Sequence, residues 1–222
     1  MKIIAIDGVA GAGKGTLAKA LSKQLGYLHL DTGALYRCAT VCIINNNIDP
    51  TNEKQVTSAV KKAKIEAKLV NGEEHYFLNG QDLSLANALR TPVVNETVSK
   101  IAKFVGVRQH IRKVQQSVAK SNKNIVVEGR DITTVVFPNA FAKFYIVADA
   151  DIRAQRRQKD FQNQGQNIPF EKVKQMIIDR DRDDMERENS PLVCPPDAKV
   201  IDNGKNTVQQ SVDQMIAYIN SK

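Results

Sequence analysis

Residues 8–16 read Gly8-Val9-Ala10-Gly11-Ala12-Gly13-Lys14-Gly15-Thr16, and they restrict the fold more than any other stretch of the chain. The apolar run Ile3-Ile4-Ala5-Ile6 precedes them, and Leu17-Ala18-Lys19-Ala20-Leu21 follows with helical spacing. A buried strand that passes through glycines straight into a helix is a phosphate cradle. Glycines let the backbone turn tightly around an anion with no Cβ in the way. The N–H groups of the loop and helix start then point at that anion. Lys14 adds a mobile positive charge for terminal phosphates, and Thr16 offers a hydroxyl toward a magnesium ion. The strict motif wants Ser or Thr directly after the lysine. Here Gly15 intervenes and Thr16 stands one place later. The strand–loop–helix context fits all the same, and the implied ligand is a nucleoside triphosphate.

Such a start calls for more strands. Apolar runs recur at 2–7, 124–128, 143–148 and 199–202, each followed by a segment of helical character. This alternation predicts an α/β fold: a P-loop NTPase core with a parallel sheet flanked by helices. Thr207-Val208-Gln209-Gln210 has the form of a capping box, with Val208, Val212, Met215, Ile216 and Ile219 as the apolar stripe of a closing helix. Residues 64–83 break the rhythm. Short strands at 65–70 and 75–78 are separated by Asn71-Gly72 and followed by Asn79-Gly80, which predicts a small antiparallel β insert. Between Ala154 and Pro169 the chain turns arginine- and glutamine-rich around Gly165. With Arg153, Arg156 and Arg157 beside it, this reads as a mobile basic loop between two helices, a short lid over phosphates. The 222 residues suit one domain: a core of 1–40, 92–152 and 170–222, an insert of about 41–91, and a lid of about 153–169.

The net charge of +8 is compatible with nucleic acid or with arginines gathered around phosphorylated small molecules. Aromatic residues are scarce, tryptophan is absent and no lysine-rich tail occurs, so the second reading is preferred and no nucleic-acid partner is expected. Cys38, Cys42 and Cys194 show no metal-ligand spacing, and the first two read as buried thiols on a helix. With no signal peptide and no apolar run of membrane-spanning length, the expected location is the cytoplasm, without a membrane partner.

Four charged clusters make the triphosphate reading specific. Leu30-Asp31-Thr32-Gly33-Ala34-Leu35-Tyr36-Arg37 is a strand end running into a helix, which turns Asp31, Thr32 and Arg37 toward a cleft at the carboxyl edge of the sheet. Val126-Val127-Glu128-Gly129-Arg130-Asp131 is a second such end, with Glu128 placed near a magnesium ion and Arg130 for a phosphate. Val107-Arg108 opens a helix. On a long helical stretch, Arg180, Asp184 and Arg187 fall at i, i+4 and i+7 and share one face.

On the strength of GVAGAGKGT, LDTGALYR, VEGRDITTVVFPNA and RDRDDMERENSPL, the sequence resembles, over nearly the whole chain, the nucleoside monophosphate kinases, in particular the bacterial cytidylate kinases. The hairpin insert is a further mark of that subfamily. By this resemblance residues 8–16 hold ATP, with Lys14 and Arg157 on the donor side. Lys14, Arg130 and Arg187 serve catalysis, and Arg37, Arg130 and Arg187 bind the acceptor phosphate. Ser99, Arg108 and Asp131 read the cytosine edge. Arg180 and Asp184 hold the sugar hydroxyls, while Thr32 and Tyr36 lie against the acceptor nucleoside. Thr16 would ligate Mg2+, with Glu128 acting through water. The implied reaction converts ATP and CMP or dCMP to ADP and CDP or dCDP, in a monomer. Three positions depart from the common pattern: Ala10 and Thr32 replace serines, and Glu128 replaces an aspartate. The last two keep hydroxyl and carboxylate chemistry, and Ala10 leaves the backbone cradle intact.

Overall fold

The apolar runs become strands and the striped segments helices. The computed structural model describes residues 1–222 except 71, 72, 85–87, 123 and 164. The chain begins β1 (Lys2–Gly8), α1 (Lys14–Leu25), β2 (Leu28–Asp31), α2 (Thr32–Asn45) and α3 (Glu53–Lys62). Then come β3 (Ile65–Val70), β4 (Glu73–Leu78), β5 (Gln81–Asp82), a 3₁₀ turn (Ala88–Arg90), α4 (Pro92–Ile101) and α5 (Val105–Lys120). The last part carries β6 (Asn124–Glu128), a π turn (Ile132–Val136), β7 (Ala142–Val147), α6 (Ala150–Asn163), α7 (Phe170–Glu186), β8 (Lys199–Asp202) and α8 (Val208–Asn220).

A five-stranded sheet has the order β2-β6-β1-β7-β8, with β1 parallel to β7 and β7 parallel to β8. Strand order that skips along the sequence follows from crossovers through helices, since parallel neighbours cannot be joined by a tight turn. The chain forms two compact units: residues 2–27 with 126–222, and residues 28–125 with Met1.

In the first unit β1 is buried almost end to end, as a central parallel strand covered on both faces must be. Ile4, Ile6, Phe144, Ile146 and Ile201 of the sheet pack with Leu17 and Leu21 of α1 and with Val212, Met215 and Ile219 of α8. The capping box forms as the sequence predicts: the Thr207 hydroxyl accepts from the Gln210 N–H at 3.2 Å, and the Thr207 N–H donates to the Gln210 side chain at 2.9 Å.

The second unit holds a three-stranded antiparallel sheet, β3-β4-β5. Ile65 pairs with Leu78 and Ala67 with Tyr76, which puts Ile65, Tyr76 and Leu78 on one buried face. Val70 pairs with Glu73; the expected Asn71-Gly72 turn lies outside the described residues. Val56 and Val60 of α3, Ile101 of α4 and Val107 and Ile111 of α5 are buried, as are Cys38 and Cys42 of α2.

The arginine- and glutamine-rich stretch differs from its expectation as a loop, because α6 runs through it to Asn163. Arg, Gln and Lys are good helix formers. Ala154 and Phe161, seven residues apart, pack with Val173 and Ile177 of α7. Gly165, at φ 74°, closes the helix with its N–H on the Gln162 carbonyl and the Gln166 N–H on that of Phe161, both 2.9 Å. Among the described residues, only 165–169 of this stretch are non-helical.

Candidate active site

The phosphate loop is fastened from outside, residue by residue. Gly13 precedes α1 with φ 86°, and a Cβ there would lie 2.5 Å from Asn203 Nδ2. That same Nδ2 donates to the Ala12 carbonyl at 2.7 Å. Asn203 is held in turn by Ser211 Oγ at 3.2 Å and, through its carbonyl, by Arg156 Nη2 at 2.9 Å. The Ala10 N–H donates to Asp181 Oδ1 at 2.7 Å, while Arg153 pairs with Asp181 and donates from Nη1 to the Ala10 carbonyl at 3.0 Å. The expectation that loop amides are open for an anion is thus corrected at Ala10, whose N–H a carboxylate occupies. Arg157 lies over the Phe161 ring, 4.5 Å from its centroid.

Lys14 is buried and donates from Nζ to the Val9 carbonyl at 2.8 Å. Burial drives its ammonium down to about 7, and the Arg130 charge acts in the same direction against Glu128, Asp7 and Asp184. An anion in the loop would reverse that tendency.

Glu128 ends β6 and is buried. A Cβ on Gly15 would lie 2.9 Å from Glu128 Oε1, so only glycine lets this carboxylate come so close to the loop. With the Thr16 hydroxyl one residue on, the loop has hard oxygen donors of the kind Mg2+ accepts.

Beyond β6, Arg130 donates from Nε to Asp184 Oδ2 at 3.0 Å. Arg180 Nε reaches the same oxygen at 3.0 Å, and Arg187 Nη1 reaches Asp184 Oδ1 at 3.1 Å. Three guanidinium groups therefore converge on one buried carboxylate, with the expected helical spacing realised between Arg180 and Asp184. Arg187 lies just past the end of α7, where its Nε donates to the Ser190 carbonyl at 2.8 Å. The Leu192 N–H returns to the Asp184 carbonyl at 2.7 Å. Burial pushes the Asp184 carboxyl upward, but Arg130, Arg180 and Arg187 outweigh it and hold it at about 2. Burial opposes the charge on Arg130, while Asp184 and Glu128 more than restore it. Arg130 and Asp184 thus favour each other's charged forms.

The segment carrying Arg130 and Asp131 is pinned by Asp7 at the end of β1. Its Oδ1 accepts from the Ile132 N–H at 3.0 Å, and its Oδ2 from the Thr133 N–H at 2.7 Å and Oγ1 at 2.6 Å. A π turn begins with N–H groups that lack partners within it. Asp7 supplies two acceptors.

In the unit of residues 28–125, Asp31 caps α2, accepting from the Ala34 N–H at 3.2 Å. The Arg37 guanidinium lies over Gly33, 2.8 Å from where a Cβ would stand. Thr32 is buried, and Tyr36 and Arg37 are half-buried. Arg108, on α5, is buried, donates to the Ala102 carbonyl at 2.9 Å and lies 5.5 Å from the Tyr36 ring centroid. Ser99 is half-buried on α4. The antiparallel sheet is tied to this helix start: Tyr76 donates to Glu74 at 2.5 Å and accepts from the Asp31 N–H at 2.9 Å, and Glu74 also pairs with His29.

Asp7, Asp181 and Asn203 were not singled out for function by sequence reasoning, and Arg153 was noted only within the basic stretch expected to cover phosphates. One signal was available: Asn203 directly follows β8, and the carboxyl ends of parallel strands gather around the ligand.

A family model described as cytidylate kinase matches residues 4–221. The chain belongs to the cytidylate kinase family. The cytidylate kinase of Caldicellulosiruptor bescii is 38% identical over 213 residues, covering 96% of this chain and 93% of that one. Cytidylate kinase 1 of Haemophilus influenzae is 40% identical over 217 residues, with 98% and 93% covered. Among solved structures, a gluconokinase from Sinorhizobium meliloti shares the fold at 13% identity, with a TM-score of 0.52 and coverage of 99% and 92%. A chain of the cytidylate kinase family is a phosphotransferase, so the arginine cluster and the buried lysine belong to an enzyme.

Proposed function

We propose that this chain transfers the terminal phosphate of ATP to CMP or dCMP, giving ADP and CDP or dCDP, as a cytoplasmic monomer. The observation that carries the reading is the convergence of Arg130, Arg180 and Arg187 on Asp184, in the same compact unit as the buried Lys14. An acceptor phosphate is already a competent nucleophile near neutral pH, so the chemistry asks for alignment and charge neutralisation rather than a strong base.

Lys14 holds the donor phosphates and neutralises charge that builds on the transferred group. Arg130 and Arg187, with Arg37, grip the acceptor phosphate, because the planar guanidinium matches phosphate oxygens two at a time. Asp184 keeps the forks of Arg130 and Arg187 oriented and, with Arg180, takes the sugar hydroxyls. Ser99, Arg108 and Asp131 read the cytosine, and Thr32 and Tyr36 support the nucleoside. Arg157 belongs to the donor side, within a short lid of about 153–169. Thr16 and Glu128 would hold Mg2+, which supplies charge neutralisation on the donor phosphates. Lid closure excludes water and so suppresses ATP hydrolysis.

A coupled assay of ADP release with CMP, dCMP, UMP, AMP, GMP and shikimate tests the reading. The expected result is turnover that depends on CMP and dCMP and far exceeds that with purine monophosphates or shikimate. ATP hydrolysis indifferent to CMP, or stimulated by DNA, would refute it.

A further inference from the structure

Ala10 is the one loop residue whose N–H and C=O are both occupied by a single ion pair, formed between α6 and α7. Asp181 accepts from its N–H at 2.7 Å, and Arg153 donates to its carbonyl at 3.0 Å while pairing with that same Asp181. Arg153 is anchored at its other edge, donating from Nε to the Ala148 carbonyl at 2.9 Å. Both side chains are buried. The next loop residue, Gly11, packs directly on α6: a Cβ there would lie 3.4 Å from the Arg153 Cβ.

We infer that Arg153 and Asp181 are a positioning pair for the phosphate loop, holding Ala10 so that the cradle has its shape before the nucleotide arrives. The inference rests on the kinase reading and adds to it two residues that act through the backbone of Ala10. Its physical basis is entropic. Residues 8–16 contain four glycines, and glycine backbone loses more freedom on ordering than any other. A loop ordered only by the triphosphate would charge that loss to binding, whereas a loop already held by the fold does not. A buried ion pair is a poor source of stability, because desolvation offsets much of its attraction. Besides the anchor on Ala148, this pair directs one hydrogen bond to the N–H and one to the carbonyl of Ala10, which is what holding a loop requires and what mere packing of α6 on α7 does not. Asp181 also follows Arg180 and precedes Asp184 on α7, so the loop is fixed to the helix that carries the cluster around Asp184.

The test is Asp181→Ala, with ATP and CMP varied separately in the coupled assay. Loss of a hydrogen bond to a charged acceptor should raise the KM for ATP about tenfold to a hundredfold. The KM for CMP should stay within about twofold, since the acceptor residues keep their own partners. Asp181→Asn, which keeps the size and an acceptor oxygen, should move ATP in the same direction by less and serves if the alanine variant does not fold. Binding of a non-hydrolysable ATP analogue to wild type and variants gives the same comparison without turnover. A folded variant with wild-type analogue affinity and ATP KM, whatever its melting temperature, would overturn the inference. So would equal rises for ATP and CMP. A wild-type chain that turns over no CMP would instead refute the proposed function, while the analogue binding still decides the role of this pair.

Discussion

Replacing Asp184 by Asn keeps the shape of the side chain and removes the one negative charge that Arg130, Arg180 and Arg187 share. Its carboxyl is held at about 2 against an ordinary 3.8, which corresponds to roughly 2 kcal/mol of stability in the ionised form. Leaving charges buried without their partner costs about 3–5 kcal/mol in comparable cases, so Asp184→Asn should cost roughly 2–5 kcal/mol. At about 2–4 °C per kcal/mol for a chain of this size, the melting temperature should fall by roughly 4–20 °C. The folded pKa lies below the unfolded one. The stabilisation is therefore complete above a pH of about 4 and lost as the pH falls through about 2, and the gap between wild type and variant should close over that window. Kinetics separate this effect from the sugar assignment. Hydrogen bonds to a charged acceptor are worth about 1.5–3 kcal/mol, so kcat/KM should fall about tenfold or more. If Asp184 accepts from the 2′-OH, CMP suffers more than dCMP; if only from the 3′-OH, both weaken alike. Thermal melts and urea titrations across pH, with kcat/KM for both acceptors, give all the quantities. An unchanged melting temperature would refute the electrostatic reasoning, and unchanged kinetics beside a lowered melt would make Asp184 a structural residue alone.

Lys14→Met should lower kcat by about two to three orders of magnitude with the fold intact, measured by the coupled assay and a thermal melt. Because the buried ammonium lies at about 7, ATP should bind more weakly above that pH and take up a proton as it binds. Calorimetry in buffers of different ionisation heat should detect that proton in wild type and not in Lys14→Met. Arg130→Ala should abolish phosphorylation of every acceptor while ATP affinity stays nearly constant, as read by acceptor-varied turnover and analogue binding. A selective loss of CMP over UMP would move Arg130 from phosphate grip to base reading.

What could be read from the chain was local. Residues 8–16 announce themselves by composition, and Arg180, Asp184 and Arg187 by helical spacing, because each signal lies within a few turns. The hairpin was legible from its turn residues, and the capping box from Thr207 and Gln210. Asp181 and Asn203 were not, and Arg153 was legible only as part of a basic stretch, since their function comes from meeting backbone atoms of a distant loop, and neither spacing nor charge encodes that meeting. The extent of α6 was missed for another reason. Its buried stripe is reduced to Ala154 and Phe161, so helix-forming arginines and glutamines looked like a solvated loop. Asp7 hid inside an apolar strand, where its three donors arrive from beyond β6.

The fasteners of the phosphate loop also set a timetable. Ala10 and its partner Asp181 are 171 residues apart in the chain, and Ala12 and Asn203 are 191 apart. At synthesis rates of about 5–20 residues per second, the glycine-rich segment waits roughly 10–40 s between its own emergence and that of the side chains that secure it. During that interval β1 and α1 exist without their last clasps. A ribosome paused before codon 203 would therefore carry a chain that displays the whole phosphate-binding motif yet lacks the Asn203 clasp on it. Tight capture of nucleotide waits until residue 203 has emerged.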